Sequence, residues 1–355
     1  MSPATSARWS ATRRLKRLHN ASRGNVLDVY ARAPGKVILL GEHFVVRGSP
    51  AIAAAINLHA RVRALTTLED SLLKMESSAF TYAYDWSKTN LNSVEEFFPL
   101  SSAVAPWIPL LLELKSRVKH PPPGLRIHME STIPPSSGLG SSAAIAVSMI
   151  SAASKALGLN VSRREVVELA FIPERRIHGN PSGIDQTTST YGGVIFYVKG
   201  EGFRRIRLGC ELPLVIGDTG KPRRTSLMVE RVSKYLNDHP GRGEELMGQV
   251  KRIVRDAEEA LKRGDLKKMG ELMSENQRLL REVGASSESI DRMVDEAMDH
   301  GALGAKLTGA GGGGCVVAVP EPGRGGEVAS AIRESGGRPY VVKVDNYGLR
   351  VWRRS

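Results

Sequence analysis

The stretch Ile133-Pro-Pro-Ser-Ser-Gly-Leu-Gly-Ser-Ser-Ala-Ala144 constrains this chain more than any other. Pro134 and Pro135 hold the backbone extended or turning. Gly138 and Gly140 flank one apolar residue, Ser141 and Ser142 follow, and a helix-forming run from Ala143 to Leu157 carries no charge before Lys155. A glycine-rich turn feeding a buried helix N-terminus is an anion site. The first N–H groups are unpaired, the helix dipole is positive there, and a missing Cβ lets a phosphate come close. Either serine can cap the helix or ligate a metal carried by the phosphates. Two common phosphate loops do not fit. Gly138-x-Gly140-x-x-Ala143 satisfies the loose dinucleotide spacing, but prolines interrupt the strand side. Arg163 and Arg164 stand where an acid about twenty residues on is needed. No Gly-Lys-Ser/Thr follows the glycines, so this is not a Walker A loop.

A chain of 355 residues has room for two domains with a cleft between them. No apolar run approaches the roughly 18 residues of a bilayer span, so no membrane helix is expected. Two cysteines, Cys210 and Cys315, cannot build a disulfide framework or a metal cage alone, which fits a reducing cytoplasm. The formal net charge of +13 raises the question of nucleic acid or an anionic substrate. Much of it is local: Arg8, Arg13, Arg14, Lys16, Arg17 and Arg23 fall in a stretch without acids, Met1 to Gly24. That stretch lacks the apolar core of a secretory signal, and residues 1–25 read as a basic, disordered tail. A tail of this kind does not make the chain a nucleic-acid-binding protein.

Order is expected from Val26. Lys36 precedes the apolar strand Val37 to Leu40, and Glu42 and His43 follow it on a turn. A lysine, a glutamate and a histidine at the two ends of one buried strand suit a polar pocket. Val94 to Val118 reads as a helix, and Leu125 to Ser131 as the strand that delivers the chain to the phosphate loop. Ser162 with Glu165 forms a capping box for a helix to about Ile172. The dense turn Glu174-Arg-Arg-Ile-His-Gly-Asn-Pro-Ser-Gly-Ile-Asp185 comes next, with strands expected from Ser189 to Val198. Two carboxylates in one segment can divide into a metal ligand and a general base. A composition shift near Gly200 to Leu212 divides a domain 26–205 from a domain 206–355. The second domain opens with the short strand Leu214 to Gly217 and a basic turn, then helices with apolar faces. The run Gly304-Ala-Lys-Leu-Thr-Gly-Ala-Gly-Gly-Gly-Gly314 then enters a buried strand with a backbone that anything can approach.

Three of these segments, in order, resemble the GHMP kinases, a family of small-molecule kinases. They are Pro34-Gly-Lys-Val-Ile-Leu-Leu-Gly-Glu-His43, Pro134 to Ala144, and Lys306-Leu-Thr-Gly-Ala-Gly-Gly-Gly-Gly314. Within the family, Gly41 to Ala51, His178-Gly-Asn-Pro-Ser-Gly-Ile-Asp185 and Lys221-Pro-Arg-Arg-Thr225 are most similar to the mevalonate kinase branch. The resemblance runs from about Val29 to Gly348. It implies an α+β fold of two domains, an N-terminal domain like ribosomal protein S5 domain 2 and a ferredoxin-like C-terminal domain.

The resemblance also implies activity and roles. The activity is Mg²⁺-dependent transfer of phosphate from ATP to the 5-hydroxyl of mevalonate, for isoprenoid biosynthesis. Pro134, Pro135, Ser136, Ser137, Gly138, Leu139, Gly140, Ser141, Ser142, Ala143 and Ala144 match the ATP phosphate loop. Ser142 and Glu174 match the magnesium ligands, Asp185 the catalytic base, and Lys36 the lysine near the reacting hydroxyl. Glu42, His43 and Thr225 match positions lining the mevalonate pocket, and either Arg223 or Arg224 is a candidate for the substrate carboxylate. No nucleic acid or membrane partner is implied, and a homodimer is left open. Phosphomevalonate, galacto- and homoserine kinases share the phosphate loop but differ in the Gly-Glu-His run and in the segment around Asp185.

Overall fold

A computed structural model describes residues 26–87, 103–221 and 225–354. The basic tail, the first part of the helix expected from Val94, and the pair Arg223 and Arg224 lie outside those residues.

Strand β1 (Asp28–Leu40) changes character along its length. Buried and half-buried residues alternate up to Arg32, and from Ala33 onwards every residue is buried. Alternation is the mark of a strand with one wet face, and a continuous run marks cover on both. A single 3-10 turn (Phe44–Arg47) leads into β2 (Ala51–Thr67), which pairs antiparallel with β1. The long β2 serves two neighbours. Its second half pairs with β5 (Gly124–Ser131), and its first with β6 (Val194–Val198). The hairpin β3 (Leu72–Glu76) and β4 (Thr81–Asp85) extends the sheet beyond β5, and β7 (Gly202–Ile206) extends it beyond β6.

Helices cover one face of this sheet. After α1 (Ile108–Ser116), the central α2 (Ser141–Ala156) is built largely of Ala and Ser and is buried on almost every side. Small side chains let its axis lie close against β1 and β2. Around it pack α3 (Arg163–His178), opened by the expected capping box at Ser162, and α4 (Ile184–Tyr191).

Two expectations are corrected here. The helix expected to end near Ile172 continues through Pro173 to His178, which carries Glu174 on its last turns. Strand was expected from Ser189, but 184–191 is helical and strand begins at Val194. Within this helix Thr187 and Thr188 satisfy their hydroxyls, each donating to a carbonyl one turn back at 2.7 Å.

The second half is a four-stranded antiparallel sheet of β8 (Leu214–Asp218), β9 (Ala302–Thr308), β10 (Cys315–Pro320) and β11 (Arg338–Val342), in the order β11-β8-β10-β9. Helices α5 (Thr225–Asp238), α6 (Pro240–Arg263), α7 (Leu266–Glu282) and α8 (Glu288–Asp299) separate β8 from β9, and α9 (Gly325–Glu334) separates β10 from β11. This is the split βαβ arrangement expected of a ferredoxin-like domain. The last strand departs from the expected division. β12 (Arg350–Arg353) pairs antiparallel with β1 in the first sheet, where Trp352 stacks on Tyr30 at 5.9 Å. Among the described residues no helix is long and apolar enough to cross a membrane.

In the second half, α7 and β9 meet backbone to backbone. A Cβ on Gly304 would stand 2.2 Å from the Gly270 carbonyl oxygen, and one on Gly270 2.1 Å from that of Leu303. Both obstacles are backbone and cannot swing away. Gly304→Ala is therefore expected to cost about 3 kcal/mol of stability. Chemical denaturation checks this, and a midpoint equal to that of the wild type would refute the close approach.

Candidate active site

A cleft of about 1660 Å³ gathers the glycine turn before α2, the end of β1, and parts of α3, α4 and α5. Its floor is built around Lys36. A bulge between Pro34 and Gly35 re-aims β1 at this point. The Lys36 amide donates to Leu139 O at 2.8 Å and the ammonium to Gly138 O at 3.0 Å, so backbone and side chain both grip the turn. The same ammonium lies 3.1 Å from Asp185 Oδ1, with the lysine side chain 4% and the aspartate 28% exposed. Gly140 passes so close that a Cβ there would stand 2.9 Å from Lys36 Cγ, and its φ is +76°.

Gly140, in the left-handed region, is the N-cap of α2, and no side chain caps that helix. The first amides of α2 therefore have no capping side chain, as an anion site requires. Ser137 braces the turn instead, donating to Pro134 O at 2.7 Å. Pro135, Ser136, Ser137, Gly138, Gly140, Ser141 and Ser142 line the cleft. Leu139, Ala143 and Ala144 are fully buried, and these three, with Pro134, are not among the lining residues.

Glu174 and His178 stand one turn apart on α3, and the Ser142 hydroxyl is 3.2 Å from His178 Nε2. Glu174 is 1% exposed and its Oε1 has no hydrogen-bond partner. Burial first, then the charge of Asp185, pushes its carboxyl up to about 7, against the Ser142 hydroxyl and Lys36. An orphaned buried carboxylate oxygen beside a hydroxyl suits a hard divalent cation, which takes oxygen ligands. Among the described residues no group of three or more His, Cys, Asp or Glu forms a metal cage, so such an ion would need further oxygens from a ligand. Asp185 was expected after a loop and lies in the first turn of α4, where the helix dipole favours a negative charge.

The strand-end turn joins the cleft from a buried position. Glu42 borders the cleft, but its carboxylate has no exposed surface and is paired with the equally buried Lys306. His43 lines the cleft with φ at +60°, and its Nε2 donates to Ala310 O at 2.8 Å. Loss of hydration lowers its imidazole to about 4, aided by Lys306 and opposed by the bond to Ala310. Thr225, the first residue of α5, is at the cleft. Ser226, Val229, Glu230 and Ser233 of the same helix share that wall, and Arg47 holds the helix in place by donating to Ser233 Oγ at 2.9 Å and Asn237 Oδ1 at 2.8 Å. Sequence reasoning missed this helix face, together with Trp107 and Ala310, which also line the cleft. For Ala310 the signal was present, since it sits in the glycine run already read as a close-approach surface.

Both the sequence and the fold are similar to those of known proteins. Residues 108–193 match the model of the GHMP kinases N terminal domain, and residues 257–338 that of the GHMP kinases C terminal domain. The chain is 37% identical to a mevalonate kinase of Thermococcus sibiricus over 92% of its own length and 98% of the relative's. Against a mevalonate kinase of Pyrococcus horikoshii the identity is 38%, over 91% and 97%. The crystal structure of L. major mevalonate kinase in complex with R-mevalonate superposes with a TM-score of 0.75 and 29% identity, covering 91% of this chain and 96% of that one.

The environment of His43 sets a pH dependence with a definite sign. A histidine held neutral by folding takes its proton first in the unfolded chain. Its contribution to stability is complete above the ordinary imidazole value, near 6.5, and is lost as pH falls towards about 4. An NMR titration of the His43 ring is expected to show a midpoint near 4; a midpoint at the ordinary value would contradict the described packing.

Proposed function

The chain belongs to the mevalonate kinases of the GHMP kinase family, and we propose on that premise that it transfers the γ-phosphoryl group of ATP to the 5-hydroxyl of mevalonate, yielding 5-phosphomevalonate for isoprenoid biosynthesis. The observation that carries the reading is the contact of Lys36 with Asp185, made at the edge of a glycine turn whose helix has no side-chain cap. A primary alcohol is a poor nucleophile at neutral pH, and the γ-phosphoryl group is already densely charged. Catalysis must therefore align the two and neutralise charge.

Each part of the cleft has a task in that scheme. The turn from Pro135 to Ser142 and the first amides of α2 receive the phosphate oxygens. Asp185 Oδ accepts the proton of the 5-hydroxyl as the oxygen–phosphorus bond forms and the bond to the ADP leaving group breaks. The Lys36 ammonium, 3.1 Å from that carboxylate, steadies the negative charge growing on the attacking oxygen. Ser142 and Glu174 are the residues that would hold Mg²⁺. When bound, the ion supplies charge neutralisation across the ATP phosphates. His43 and Thr225 flank the acceptor side of the cleft. A positively charged body favours the approach of both anionic substrates.

ADP release with Mg-ATP across mevalonate, phosphomevalonate, galactose and homoserine tests the reading. Release with mevalonate alone, and NMR detection of the 5-phosphate, is expected; release with another acceptor would assign the pocket to a different GHMP chemistry. Asp185→Asn is expected to lower kcat by about 100- to 10,000-fold while nucleotide affinity changes little, because the lost interaction belongs to the transition state. Near-normal turnover would remove Asp185 as the base. Ser142→Ala is expected to raise the magnesium concentration needed for half-maximal rate, and an unchanged titration would leave that hydroxyl outside the ion's coordination.

A further inference from the structure

The Glu42–Lys306 pair joins the two halves of the molecule. Glu42 lies two residues past the end of β1 and Lys306 belongs to β9, and both side chains are completely out of solvent. The Lys306 ammonium also donates to Leu307 O at 2.5 Å, while Glu42 Oε2 has no partner. A desolvated ion pair with an unmet acceptor is a poor source of stability, because the desolvation cost rivals the attraction. What it provides is a fixed distance. The neighbouring bonds have the same direction. Ile38 N donates to Thr308 Oγ1 at 2.9 Å, that hydroxyl donates back to Ile38 O at 3.0 Å, and Gly41 N donates to Asn276 Oδ1 at 3.2 Å. Next to Glu42 stands His43, with a positive φ of 60° that a side chain resists and that persists only when its surroundings enforce it. Its ring donates to Ala310, on the glycine loop that continues from β9. A neutral imidazole that donates through Nε2 keeps Nδ1 as a hydrogen-bond acceptor.

We propose that Lys306 is a positioning residue for the acceptor alcohol: by holding Glu42 from the second half, it fixes the strained turn at His43 so that this ring meets the substrate as a neutral acceptor. The inference rests on the phosphoryl-acceptor reading of the same cleft. The expected substrate contact of Glu42 is thereby reassigned, since its carboxylate acts through Lys306. The nucleotide side is gripped separately, through Lys36 and the turn from Gly138 to Gly140. Loosening the tether is therefore felt by the acceptor alone.

The test uses the full chain with Lys306→Met and Glu42→Gln combined, which removes the pair without stranding a buried charge, alongside Glu42→Gln alone. The double variant is expected to raise both the Kd and the KM for mevalonate about tenfold, a loss of the size one well-made polar contact provides. The KM for ATP is expected to stay within about twofold, and the His43 NMR midpoint to move upwards towards the ordinary imidazole value. Glu42→Gln, which keeps a hydrogen bond to Lys306, is expected to lie between the double variant and the wild type. Unchanged mevalonate affinity, or equal losses for ATP and mevalonate, would overturn the proposal. Should the double variant fail to fold, the same criteria applied to Glu42→Gln decide. A wild-type chain that binds no mevalonate would instead overturn the functional reading, and the His43 titration would still test the tether.

Discussion

Lys36 is the point on which the rest of the molecule turns. Its amide and ammonium hold two successive carbonyls of the glycine turn, and the ammonium also faces Asp185 on a separate helix. A buried cation is tolerated only where its charge is met on several sides. The turn before α2, the first turn of α4 and the bulge of β1 must therefore converge on one atom. Gly140 is the corollary, because any side chain there would occupy the space of the lysine stem.

Strand β1 serves both halves: at Lys36 it meets the phosphate turn, and from Ile38 onwards the chain meets β9 and the second glycine loop. The cleft is thus assembled from both halves of the chain, with β1 as the common reference. Glu174 shows the other side of such an arrangement. Its orphaned oxygen and raised proton affinity are costs of folding that a bound cation would offset.

Much of this was legible in the sequence, and the reasons differ by residue. The phosphate turn, the Ser162 capping box and the sequence order of Lys36, Glu42 and His43 depend on local chemistry, which a sequence displays directly. The helical setting of Glu174 and Asp185 was not legible. Pro173 argues against a helix reaching Glu174, and around Asp185 the bonds from the Thr187 and Thr188 hydroxyls to carbonyls one turn back exist only after folding. The partnership of Glu42 with Lys306 was hidden for another reason: it spans the two sheets, and nothing local distinguishes a glutamate that touches substrate from one that touches a distant lysine. The wall supplied by α5 and Trp107 belongs to the same class.

The return of β12 to the first sheet alters what the two halves are to each other. The chain leaves the N-terminal sheet after β7, builds the second sheet, and comes back to pair β12 with β1, while on the way Asp345 accepts from His59 of β2 at 2.7 Å and from the Gly348 amide. The second half is consequently an insertion within the first, anchored at both of its ends. The second half is one uninterrupted stretch of chain, whereas the first cannot be excised as a contiguous piece without stripping β12 from the sheet that carries Lys36. Any opening of the cleft must be shared between two covalent crossings, which confines it to a hinge and forbids free rotation.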